Sequence, residues 1–197
     1  SIRIFSGYNP LNELKSTWKT RTVKNISIYS NNFIIEDYSK FDSQLVTANP
    51  LISIIIPTYN RYVALANILQ DLEKQNYKNS EIIIIDQSEI FQNKLYDESN
   101  LNINLIKQAK PALWEARNKG IMAAKSNYLL FLDDDSRIAP DWISEHLKCI
   151  DYFQSDISSG VSISMIGAKV PENYSYFRWS DQLDTGNVLI KRKVFEE

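Results

Sequence analysis

The chain is poor in the residues that most often announce a function. Cys149 is its one cysteine in 197 residues, so no internal disulfide framework is available, and the composition suits a reducing, cytoplasmic setting. His146 is its one histidine, which leaves no His/Cys cluster of the kind that holds zinc. Five glycines are present, and they form neither G-x-G-x-x-G nor G-x-x-x-x-G-K-[ST], so the dinucleotide and P-loop readings lose their main support. Excess charge of one sign is missing too. Lys and Arg number 22 against 24 Asp and Glu, a net charge of -2, which excludes a nucleic-acid binder driven by bulk charge. No apolar run approaches the ~20 residues that span a bilayer. The opening SIRIFSGYNP lacks the apolar core of a signal peptide, and its first residue, Ser1 rather than Met, is what a processed or cut start would leave.

What remains is ordinary in bulk and informative in pattern. Hydrophobic residues make up 44% and charged residues 23%, as in a soluble globular protein long enough for one sizeable core. Residues 1–50 are rich in Asn, Ser, Lys and Thr, with β-like stretches at Asn25–Tyr29 and Phe33–Glu36, and Asn49-Pro50 punctuates their end. They are expected to form an N-terminal extension packed on a main domain over residues 51–197. Two N-x-S matches, at Asn25 and Asn173, are read as chance.

In the main domain, Ile52–Ile56 and Glu81–Asp86 are apolar on consecutive positions, as strands covered on both faces are. Further strands are expected at Asn102–Ile106, Tyr128–Leu132, Val161–Ile166 and Asn187–Ile190. Helices are expected at Tyr62–Gln75, Leu113–Lys125 and Asp141–Phe153, the last with Pro140 at its start, and KRKVFEE reads as the first turns of another. Alternating strands and helices predict an α/β fold with a mostly parallel sheet.

Three strand ends carry polar groups, and open α/β sheets bind ligands outside such carboxyl ends. Asp133–Asp135 follows YLLFL. Three adjacent carboxylates repel unless something positive sits among them, and Mg²⁺ or Mn²⁺ with a diphosphate would supply that charge. A solvated acidic loop or a helix cap is the plainer alternative. Asp86 could accept a nucleobase N–H or simply make a local turn with Ser88. Pro57-Thr58-Tyr59-Asn60-Arg61 could flank a base and favour an anion near a helix start, or be a strand-to-helix turn capped by Thr58 or Asn60. Arg117 suits a diphosphate, or a surface pair with Glu115. His146 is read as a structural or surface residue on its helix, away from the strand ends.

The strings ISIIIPTYNR, IIIIDQS, ARNKGI, FLDDDSRIAPDW and TGNVLIKRKVF, in that order, resemble the nucleotide-sugar half of a family-2 glycosyltransferase of GT-A fold, over about Leu51–Glu197. The resemblance implies a three-layer sandwich around a mostly parallel central sheet. It implies a nucleoside-diphosphate sugar donor, UDP-linked, and inverting transfer to an acceptor hydroxyl with Mn²⁺ or Mg²⁺ as cofactor. Pro57, Thr58 and Tyr59 match the segment lining the base, Arg61 its polar end, Asp86 the residue reading the base and Arg117 the arginine near the diphosphate. Asp133 and Asp135 match the outer members of a D-x-D motif, Asp135 for metal and Asp133 for ribose or metal, with Asp134 between them. Gly186 and Asn187 match a string near the acceptor side.

The chain departs from that pattern at Gln87-Ser88, where the family commonly reads Asp-Gly-Ser, and at Ala112, where a glycine is common. The family's general base is expected beyond Glu197, within a piece of a longer protein. The implied partners are the sugar donor and a glycan or lipid-linked acceptor, with peripheral association at the inner face of the membrane, in bacterial polysaccharide synthesis. A non-catalytic nucleotide-sugar-binding or interaction module from a truncated glycosyltransferase is the alternative. A nucleotidyltransferase is disfavoured, since PTYNR lacks glycines. Tyr174, Tyr176, Phe177 and Trp179 could stack on sugars or fill a core.

Overall fold

The structure, a computed structural model, describes residues 2–4, 41–160, 162 and 183–196. The chain runs β1 (Ile2–Ile4), α1 (Gln44–Ala48), β2 (Ile52–Thr58), α2 (Tyr62–Glu73), β3 (Ser80–Asp86), α3 (Asn93–Asp97) and β4 (Ile103–Lys107). It continues with α4 (Leu113–Ala123), β5 (Tyr128–Leu132), α5 (Trp142–Phe153), β6 (Ile157–Ser159), β7 (Asn187–Lys191) and a 3-10 turn at Arg192–Phe195. The strands form one sheet in the order β1-β6-β7-β5-β2-β3-β4. Among the described strands only β7 runs antiparallel to its neighbours, β5 and β6.

The consecutive apolar residues of the strands explain the layering. Side chains alternate across a strand, so Ile54, Ile56, Ile82, Ile84, Leu130 and Leu132 face one side. There they pack on Leu65, Ile68, Leu69 and Leu72 of α2 and on Ile143, Leu147 and Ile150 of α5. Ile55, Ile83, Ile85, Leu129 and Phe131 face the other side and meet Ala116 of α4. Two helices, a sheet and one helix make the expected three layers. On α4 the buried positions are Ala116 and Gly120. A Cβ at Gly120 would collide with the Ile55 side chain, so small residues let this helix seat close to the sheet.

Most strands and helices lie where their pattern puts them, within one or two residues at the ends. The differences have local causes. The tail after β7 closes in a 3-10 turn where a longer helix was expected, and the short α3 and β6 lack a periodic signal. The expected strands at Asn25–Tyr29, Phe33–Glu36 and Val161–Ile166 and the aromatics 174–179 lie outside the described residues. Within the first fifty residues, β1 pairs in parallel with β6. Ser43 caps α1 and donates to Asp151 of α5 at 2.7 Å, so one described part of that segment joins the sheet and the other docks on α5.

Candidate active site

At the carboxyl ends of β2, β3 and β5 the chain opens a cleft of about 400 Å³. It is lined by Pro57, Thr58, Tyr59 and Arg61, by Gln87, by Pro111–Leu113 and by Asp133–Asp135. The strand alternation that layers the core also divides the acidic triplet. Asp133 turns to the α4 side, where its Oδ1 accepts from Arg117 Nη2 at 3.0 Å. Asp134 turns to the α2 side, where its Oδ2 accepts from Thr58 Oγ1 at 2.7 Å and its Oδ1 from Arg61 Nη1 at 3.3 Å. Asp135 projects outward and receives the same Arg61 nitrogen at 2.5 Å.

Exposure separates the last two acids: the Asp134 side chain is 7% exposed and that of Asp135 54%. Burial pushes the Asp134 carboxyl up from its usual range, against the opposing pull of Thr58 and Arg61. The middle acid is therefore the buried one and braces β5 to β2, and the outer two are the more exposed acids of the cleft wall. Arg117 pairs with Asp133, while Glu115 takes Lys119 instead.

The loop after the triplet is held from beneath. Arg137 grips Asp71 of α2 with two hydrogen bonds, 2.6 and 2.7 Å long, a forked geometry that fixes orientation. Gln75 donates to the Ala139 carbonyl at 2.7 Å and accepts from Ile143 N–H. On the far side Gly186 lies so close that a Cβ there would run into the Asp133 carboxylate. The next residue, Asn187, accepts at Oδ1 from Trp142 Nε1 at 2.8 Å and lies 3.0 Å from His146 Nε2.

His146 is thus not remote from the strand ends. It is buried on α5 beneath the Gly186 corner, with Ser158 Oγ 3.0 Å from Nδ1. Trp142 donates to Asn187 Oδ1, which marks that atom as an acceptor, so Nε2 carries the proton and Nδ1 accepts from Ser158. Burial pushes its pKa down to about 4.

Asp86, expected to read a base, is 2% exposed and lies off the cleft walls. Its Oδ2 accepts from Tyr62 and Tyr96 hydroxyls at 2.8 and 2.7 Å, and its Oδ1 from Ser88 N–H at 2.8 Å. Burial and this carboxylate push the Tyr96 hydroxyl pKa up, so Tyr96 stays a donor. Asp86 and Thr58 are register partners and share the α2 side. Gln87 therefore faces the α4 side and enters the cleft. That alternation was the available signal for Gln87; nothing in the sequence pointed to Asp71 or Arg137 as supports.

Tyr59 donates to Glu89 at 3.0 Å. Asn60, with φ 54, receives neither capping role expected of it or Thr58. It ties the turn to the loop after β3 through Ser88 Oγ and Glu89 N–H, and the N-cap of α2 is Arg61.

Among the described residues no three His, Cys, Asp or Glu side chains converge as a metal cage. Two half-exposed carboxylates, Asp133 and Asp135, do open onto the cleft. Mg²⁺ and Mn²⁺ are commonly held by one or two carboxylates with substrate phosphate and water, so this oxygen donor set fits either ion together with a diphosphate. Among the described residues no helix is long and apolar enough to cross a membrane.

The chain matches the glycosyl transferase family 2 model over residues 53–195 and belongs to that family. It is 34% identical over 106 residues, half of this chain and 35% of the relative, to the amylovoran biosynthesis glycosyltransferase AmsB of Erwinia amylovora. Among solved structures it resembles S. aureus TarS 1–349 in complex with UDP-GlcNAc, with a TM-score of 0.54, 24% identity, and 61% of this chain and 37% of that one covered. It also resembles the mannosyltransferase PcManGT of Pyrobaculum calidifontis in complex with GDP-Man and Mn²⁺, with a TM-score of 0.62, 17% identity, and 81% and 50% covered. These likenesses confirm the GT-A fold. The chain spans less than half the length of the curated relatives it matches.

Proposed function

We propose that this chain is the donor-binding part of an inverting glycosyltransferase that moves a sugar from a nucleoside-diphosphate sugar, UDP-linked, to the hydroxyl of a glycan or lipid-linked acceptor. The observation that carries the reading is one cleft in which Tyr59, Arg61, Asp133 and Asp135 meet outside the carboxyl ends of parallel strands. Tyr59 and Pro57 offer surfaces to a planar base. Asp133 and Asp135 would hold Mn²⁺ or Mg²⁺ against the diphosphate; the bound ion supplies Lewis-acid stabilisation of the leaving group. Arg117 and Arg61, already paired with those carboxylates, are placed to exchange one anionic partner for another as phosphate arrives.

The acceptor hydroxyl must lose a proton to a positioned base. Each aspartate lining the cleft is paired with an arginine, so we assign that role to none of them. The same pairing favours the second reading, a nucleotide-sugar-binding module without turnover. The relative named for amylovoran biosynthesis supports a place in bacterial glycan assembly, and the one cysteine suits a cytoplasmic site; peripheral contact at the inner membrane face is part of the same proposal.

Calorimetry with UDP, with and without Mn²⁺, tests the binding role: metal-dependent binding is expected, and none in either condition defeats it. Release of UDP from a UDP-sugar in the presence of acceptor glycans separates enzyme from binding module.

A further inference from the structure

The base-facing corner of the cleft has a polarity opposite to that expected of a carboxylate reader. Gln87 is 5% exposed and lines the cleft. Its Oε1 accepts from Ala112 N–H at 2.7 Å and from Gln108 Nε2 at 3.2 Å. Both acceptor positions of that oxygen are filled, which fixes which way the amide points. Nε2 consequently lies on the Thr58 side, 3.5 Å from the Thr58 carbonyl, at the outer edge of a hydrogen bond. Thr58 and Gln87 both line the cleft, so this underused donor sits at its wall.

Gln108, 5% exposed, is pinned through Nε2 to the carbonyls of Lys110 and Ala112 at 2.9 and 3.4 Å as well as to Gln87. Its Oε1 is buried without a partner among the described residues. A buried polar atom left unmatched is costly, but Gln108 is not among the residues that line the cleft, so the donor offered at the wall is Gln87 Nε2 alone. Asp86 next door cannot play this part without giving up the two tyrosine hydroxyls and the Ser88 N–H that hold it.

We infer that Gln87 is the specificity-determining residue for the donor's base, giving a hydrogen bond from Nε2 to a ring carbonyl, with Gln108 as the positioning residue that sets the amide. This rests on the nucleotide-sugar reading above. The chemistry it selects is a base edge with a carbonyl beside an N–H, the edge shared by uracil and guanine. Cytosine and adenine present an amine where uracil and guanine present that carbonyl, so at this position donor would meet donor.

The test is calorimetry of the full chain against UDP, GDP and CDP with Mn²⁺, with pyrophosphate as the base-free control. UDP or GDP is expected to bind roughly tenfold or more tighter than CDP, and which of the two leads distinguishes uracil from guanine. Gln87→Glu puts an oxygen where the N–H was and is expected to cut that preference about tenfold, read as the UDP-to-CDP ratio, in which the effect of the added charge on the shared diphosphate cancels. Gln87→Met removes the donor without adding a buried charge and is expected to erase most of the preference, which keeps the test open if the Glu variant folds badly. Gln108→Met is expected to lower the UDP-to-CDP ratio and leave pyrophosphate binding alone. A folded Gln87→Met that keeps the wild-type ratio within about twofold overturns the assignment while leaving the donor reading intact. If the wild-type chain binds no nucleoside diphosphate at all, both fall; if it binds CDP as well as UDP, this inference alone falls.

Discussion

Two sets of polar contacts meet at the acidic triplet, and they are built differently. Beneath it, Arg137 holds Asp71 through two near-parallel hydrogen bonds, with Asp71 6% exposed, and His146 and Trp142 close on Asn187. Along the cleft wall, Arg61 reaches two aspartates through a single nitrogen, and Arg117 reaches Asp133 through one. The residue types are similar, and so is the burial of Arg137–Asp71 (50% and 7% exposed) and Arg61–Asp134 (57% and 7%); the geometry is not. Forked or buried contacts lock a loop in one position. Single-contact ion pairs with an exposed partner contribute ~1 kcal/mol or less and can be exchanged for a ligand. The supports therefore govern stability, and the walls govern binding.

That division can be broken by experiment. The largest effect on stability is expected from His146. Its folded value of about 4 lies below the ordinary 6.5, so the unfolded chain takes up the proton first as pH falls. Stability is then complete above the unfolded value and declines as pH drops toward 4, by on the order of 3 kcal/mol. Urea midpoints across that range should show the slope for wild type and lack most of it for His146→Gln.

Next in size, Asp135→Ala should weaken Mn²⁺-dependent UDP binding roughly a hundredfold, about 2.7 kcal/mol, as read by calorimetry. Asp71→Ala should lower unfolding stability by about 2 kcal/mol through loss of charged hydrogen bonds. Arg137 also holds the Asp71 carboxyl below its usual range, so the contribution of this clamp is present at neutral pH and lost as pH falls through the lowered value. Asp71→Asn should remove that part of the acid sensitivity. The smallest effect is expected from Asp135→Ala on the urea midpoint, within ~0.5 kcal/mol. A shift as large as that of Asp71→Ala would erase the distinction between support and wall.

The strand ends were legible because the signals are local. Apolar runs such as Ile82–Ile85 and the acids after YLLFL need only periodicity to be placed. The roles of individual side chains were harder to read. Asp86 and Gln87 are neighbours, and the choice of which one faces the cleft depends on strand phase against α2 and α4. His146 looked isolated because Asn187, its partner, is 41 residues away in sequence. Arg137 carried no signal, since its meaning depends on Asp71, 66 residues earlier.

By itself the amino-acid order determined a three-layer α/β core, the positions of most strands and helices, and the end of the sheet at which polar groups collect. Each of these follows from hydrophobic spacing within a dozen residues. Only the tertiary structure decided that Asp134 is a buried brace while Asp133 and Asp135 are the more exposed acids of the cleft wall, that Asp86 is enclosed by tyrosines, and that Gln87 takes the wall. Those outcomes depend on which helix covers which face of the sheet, and burial and hydrogen-bond partners are assigned only once distant segments have packed.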